Sequence, residues 1–171
     1  MIAKNSSYLL GILLWLFCGG FIQSAWAYNT EDLRRLKATG SCPRCDLSAA
    51  ALEELQLFRS NLSGANLSGA NLSRTNLIAA DLSRADLSGA ILSGANLSGA
   101  DLSSANLSTA ELLATELTLV DFSGAKLERA SLEKANLLKA KLPNADLSWV
   151  SLRGANLTLA DFYKSDLWEA D

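Results

Sequence analysis

From Leu62 to Leu167 every fifth residue is Leu, with Phe122 and Phe162 as the two replacements, giving 22 apolar positions in succession. Two residues before each of them sits a small one: Ala in 16 cases, otherwise Ser60, Thr75, Thr115, Val120, Val150 or Ser165. A period of five excludes an α-helix. Each step would carry the side chain about 140° past a full turn, so the Leu series would wind around the axis and leave no buried face. Two apolar positions separated by one residue do share a side of an extended segment. The other three positions are Asn or Asp, Ser, and a Gly-like residue, which is the composition of a turn. Each repeat is therefore expected to be a two-position strand followed by a corner, with Leu and Ala pointing inward.

The runs Ala65-Asn66-Leu67-Ser68-Gly69 and Ala95-Asn96-Leu97-Ser98-Gly99 resemble the repeat unit of the pentapeptide-repeat family, Ala-Asn/Asp-Leu-Ser/Thr-Gly/Arg. The resemblance implies an all-β fold, a right-handed quadrilateral β-helix with four repeats to each square coil. At about 4.8 Å between stacked strands, the uninterrupted repeats would build a rod roughly 26 Å long. Such arrays hold together through neighbour contacts, so their end coils are the vulnerable ones.

Upstream, Thr30-Glu31-Asp32 followed by Leu33, Leu36 and Gly40 reads as a short capped helix, and residues 28–44 as an N-terminal helical cap. It would cover the unpaired edge of the first coil. Leu47, Leu52 and Leu57 keep the five-residue phase, which makes 45–171 the β-helix, with 45–59 as degenerate repeats. A second helix starting at Ser48 and running through Ala49-Ala50-Ala51 is the competing reading of that stretch.

Residues 1–27 have the order of an export signal: Lys4, an apolar run from Tyr8 to Ile22, then Ala25-Trp26-Ala27 before the expected cleavage point. The run is shorter than the roughly 20 residues a membrane-spanning helix needs. A lipoprotein signal at Cys18 is disfavoured because Phe17 stands where a small residue is required. Loss of Lys4 with the signal would take the net charge from -3 to -4. The expected location is the periplasm, or the thylakoid lumen in a cyanobacterium, with no stable membrane insertion after cleavage.

Hydrophobic residues make up 49% of the chain and aromatic ones only 7%, so the core must be Leu and Ala on a regular scaffold. Charges of both signs are interspersed, which argues against nucleic-acid binding. The chain has no His, which removes the commonest general base and metal ligand together. No nucleophile–base pair or cleft carboxylate pair can be named, so neither an enzyme nor a cofactor is expected. Cys42-Pro43-Arg44-Cys45 reads in an exported chain as a structural disulfide, with thiol–disulfide exchange as the sharper alternative. Two Cys without His cannot complete a zinc site.

With 20 residues to a coil, residues 20 apart should stack. Asp121, Lys141 and Asp161 would form a charge ladder, Glu133 would face Arg153, and Lys126 would sit beside Asp146. Trp149 replaces the usual Gly, with Arg129 one coil before it and Trp168 near it one coil after. Leu119, Leu138 and Leu159 fall on one corner. These six residues form a candidate partner surface. Phe162, Tyr163, Leu167 and Trp168 crowd the last two repeats, where they would plug the terminal coil or pair it with a second copy. The expected role is that of a structural or interaction module with an unknown protein partner. The alternative implied by the resemblance is a DNA mimic bound to a type II topoisomerase, as some family members are. Lys126, Lys134, Lys139 and Lys141, which interrupt the acidic columns, weigh against it. The outward Ser row from Ser63 to Ser108 suggests a further alternative, ice or mineral binding.

Overall fold

A computed structural model describes residues 28–171. The export signal read in residues 1–27 lies outside the described residues. Among those described, no helix is long and apolar enough to cross a membrane.

The one helix described, α1, spans Thr30–Thr39. Its cap is Asn29, one residue before the expected Thr30: the Asn29 Oδ1 accepts the N–H groups of Glu31 at 2.9 Å and Asp32 at 3.3 Å. Glu31 and Asp32 place negative charge against the positive end of the helix dipole. Gly40, at φ 68°, closes the other end with its N–H on the Leu36 carbonyl at 2.8 Å. Leu36 is the fully buried residue of α1, and Leu33 packs against the same core.

From Cys42 onward the chain coils in steps of 20 residues. Parallel bridges join Asp46 to Asn66, Ala51 to Asn71, Gln56 to Asn76 and Asn61 to Asp81, and the series continues to Asp146 and Asp166. Four five-residue sides therefore make each coil. The paired residue is the Asn/Asp position between the two inward side chains, one per repeat, rather than a two-position strand. Residues 45–59 join the ladder through Asp46, Ala51 and Gln56, so the competing helix from Ser48 does not form. Leu47, Leu52 and Leu57 are buried like the Leu residues of the regular repeats.

Every side ends in a turn in which the small residue's N–H returns to the Leu carbonyl three residues back, as from Ala70 to Leu67 at 3.0 Å. The third residue of each turn takes positive φ. Gly64 does so at 63° without a Cβ to crowd it, but so do Arg74 at 55°, Leu119 at 60° and Trp149 at 55°. That conformation costs a non-glycine residue about 1–2 kcal/mol. The compensation is visible in the ladder: the same N–H, as at Arg74, donates to the next coil, here to Ser93 O at 3.1 Å. The Asn/Asp side chain supports the corner by accepting the Ser N–H two residues on, as Asn66 does from Ser68 at 3.1 Å.

Candidate interaction surface at the C-terminal coils

In the coil ending at Leu147, the inward residues Leu132, Leu137, Leu142 and Leu147 are wholly buried. One coil later their equivalents are not. Leu157 is 37% and Leu167 43% exposed, while Leu152 and Phe162 are only partly covered. Among the described residues nothing lies over this coil. Leu137, Leu142 and Leu147 each donate an N–H to the following coil at 2.8 Å, but the N–H groups of Leu157, Phe162 and Leu167 find no acceptor among the described residues. The terminal coil is thus an apolar square fringed by free backbone donors and acceptors.

Of the four residues expected to plug or pair this end, Phe162 and Leu167 occupy inward positions. Tyr163, 62% exposed, and Trp168, 57% exposed, stand on turns and point outward, so they do not plug the coil. Leu152 and Leu157 complete the apolar square. They were missed because they match the repeat, and what sets them apart is only that no coil covers them among the described residues.

Trp149 and Trp168 meet edge to face with centroids 4.5 Å apart. The Arg129 guanidinium lies 4.6 Å from the Trp149 ring centre and also pairs with Glu128 at 2.7 Å. Beneath them the Ser148 hydroxyl and N–H hold the Asp146 carboxylate below its ordinary range, with a smaller contribution from Lys126. Leu119 and Leu159 are both exposed on one corner column, but Lys139 stands between them, and the half-buried Leu138 belongs to the adjacent column. The corner of Leu119 and the corner of Trp149 lie two sides apart in a four-sided coil. They are diagonally opposite edges, not one patch.

The expected ion-pair columns also rearrange. Arg153 pairs with Asp171 instead of Glu133, and this contact raises the Arg153 pKa. Asp121, Lys141 and Asp161 are joined through backbone bridges, with no salt bridge among the three.

At the other end, Cys42 and Cys45 have Cα atoms 5.5 Å apart and sulfurs at bonding distance, both buried. The Asp32 carboxylate and the two sulfurs lie within 4.8 Å of one another. A cation there would confront the Arg35 guanidinium, which donates from Nε to Cys42 Sγ at 3.3 Å and from Nη2 to Cys45 Sγ closer still. A groove of about 410 Å³ runs beside α1, lined by Leu36, Lys37, Gly40, Leu55, Gln56 and Leu57.

The pattern of the pentapeptide repeats family matches residues 43–77, 56–94, 80–112, 115–154 and 140–171. The chain belongs to the pentapeptide-repeat family. Among curated proteins no sequence matches it. Among solved structures, one form of QnrB1, a plasmid-mediated fluoroquinolone resistance protein, is 22% identical over 77% of this chain and 83% of its own, with a TM-score of 0.53. HetL, a pentapeptide repeat protein involved in heterocyst differentiation regulation in Nostoc sp. strain PCC 7120, is 27% identical over 84% of this chain and 94% of its own, with a TM-score of 0.45. A pentapeptide repeat protein of the Arabidopsis thaliana thylakoid lumen is 31% identical over 64% of this chain and 66% of its own, with a TM-score of 0.26. The pentapeptide-repeat assignment carries with it the right-handed coil. At 22% identity the likeness to QnrB1 speaks to that fold alone.

Proposed function

We propose that this pentapeptide-repeat chain is a non-enzymatic interaction module of the periplasm or thylakoid lumen that pairs with a second copy through its terminal coil. The observation that carries the reading is the apolar square of Leu152, Leu157, Phe162 and Leu167, fringed by N–H groups without acceptors. A sheet edge of this kind is a template for another strand, and a second copy offers the same edge in matching geometry about a two-fold axis. The two outer edges, Leu119–Leu159 and Arg129–Trp149–Trp168, then flank the joint and are the surfaces left for an unidentified protein partner. The export signal read in residues 1–27 supports the location, and an oxidised Cys42–Cys45 pair is in keeping with it.

Sedimentation of the purified protein tests the pairing. The expected result is a dimer that Leu157→Glu and Leu167→Glu convert to a folded monomer; a monomer at every concentration reached would overturn it. DNA mimicry toward a type II topoisomerase is the weaker reading, since Lys126 and Lys141 break the acidic columns. Inhibition of gyrase supercoiling at micromolar protein would favour it instead.

A further inference from the structure

We propose that Cys42 and Cys45 form a thiol–disulfide exchange pair whose reduced state is built into the fold by Asp32 and Arg35, with α1 as its cover. The starting point is a mismatch between the sulfurs and their surroundings. A disulfide sulfur is a weak acceptor and carries no proton, so a purely structural bridge needs no polar partner. Here both sulfurs have one. Arg35 Nη2 is aimed at Cys45 Sγ, and Arg35 Nε at Cys42 Sγ from 3.3 Å. On its other side, Cys42 Sγ lies 3.2 Å from the Asp32 carbonyl oxygen, which stands ready to accept from the S–H of a reduced Cys42.

These contacts differ between the two cysteines in the way a half-ionised dithiol requires. Cys42 has a site for a thiol and Cys45 a site for a thiolate. A guanidinium beside a sulfur favours the thiolate, and hydrogen bonds to a charged acceptor are about twice as strong as neutral ones. Arg35, although its Nη2 also pairs with the Asp32 carboxylate at 3.1 Å, therefore stabilises the reduced pair more than the oxidised one. A bridge between residues three apart also closes a very short loop, where cross-linking stabilises a fold little.

In the reaction, the thiolate of a protein or small-molecule dithiol attacks Cys42 Sγ and forms a mixed disulfide. The S–S bond of the pair breaks, and Cys45 leaves as the thiolate that Arg35 faces once α1 closes again. The reductant's second thiolate then attacks the mixed disulfide, closes the reductant's own disulfide and releases Cys42, which takes up a proton. Two electrons pass from the dithiol to the pair. Both sulfurs are buried at 0% and 1% exposure, so attack requires α1 to lift. That opening is a local one: α1 buries Leu36 fully and otherwise lies largely in solvent.

The test uses protein purified after expression of the full chain, in a Cys18→Ser background so that only the pair reports. Wild type, Arg35→Met and Arg35→Lys are equilibrated across glutathione redox ratios, and free thiols are counted by the mass gained on alkylation. The expected result is a mixed population for wild type within the range, and a midpoint for Arg35→Met displaced about tenfold toward the disulfide, or about 30 mV for this two-electron couple. Arg35→Lys should recover part of the displacement. A pair that stays oxidised at every ratio, or a midpoint that Arg35→Met leaves in place, would overturn the proposal. A merely structural Arg35 would lower the melting temperature without moving the midpoint. If Arg35→Met does not fold, Arg35→Lys and Arg35→Gln are judged on the same displacement.

Discussion

The hydroxyl of Thr115, fully buried, donates to the carbonyl oxygen of Leu92, 3.1 Å away in the preceding coil. Thr75 makes the same bond to Leu52 at 3.1 Å and Ser165 to Leu142 at 2.7 Å, always 23 residues back. Ser60 cannot. The residue 23 before it is Lys37, in α1 rather than in a coil, and its buried hydroxyl has no partner. Thr115→Val should therefore cost about 1 kcal/mol, the net worth of an ordinary hydrogen bond. Ser60→Ala should be neutral or stabilising by a similar amount. Urea unfolding of the two variants checks the contrast, and equal losses would refute it.

Phe122 and Phe162 occupy equivalent inward positions in different coils. Phe122 is wholly buried with a coil on either side, whereas Phe162 is only partly covered. Phe122→Ala is expected to cost about 3–5 kcal/mol, the range for deleting a core ring. Phe162→Ala should cost less than half as much in the monomer. Thermal melts at a concentration below self-association measure both.

Among the described residues, the Arg129 guanidinium over Trp149 is the closest cation–aromatic contact, at 4.6 Å. A double-mutant cycle with Arg129→Met and Trp149→Leu should give a coupling of about 0.5–1 kcal/mol. Strict additivity would mean the pair contributes nothing to stability and is free to serve a partner alone.

Asp146 has its pKa lowered, first by the Ser148 hydroxyl, then by the Ser148 N–H and by Lys126. A depressed folded value contributes stability that is complete above the unfolded Asp value, about 3.9, and is lost as pH falls through the folded value. Ser148→Ala should raise the Asp146 titration point toward the ordinary range and move the onset of acid unfolding upward. A carboxyl-detected NMR titration reads the first, and circular dichroism the second.

Much of this was legible in the residues themselves. The Ala–x–Leu phase placed the core because burial follows position in the repeat, and Leu47, Leu52 and Leu57 already carried that phase into the irregular repeats. The helix cap missed by one residue, since Asn29 and Thr30 are both competent and only the backbone turn decides between them. The surface was harder. Leu119 and Trp149 were read as one surface although their positions, ten places apart within a 20-residue coil, already put them on opposite corners. Arg35 was invisible as a partner of the cysteines, because its approach depends on how α1 docks. Leu152 and Leu157 differ from their buried equivalents only in having no following coil among the described residues.

The open terminal coil is the centre of the account, and amide hydrogen exchange at Leu157, Phe162 and Leu167 tests it most directly. Those N–H groups lack acceptors within the described residues. Pairing of two edges predicts fast exchange in dilute protein and marked protection as concentration rises, with Leu137, Leu142 and Leu147 protected throughout. Fast exchange that does not change with concentration would contradict it.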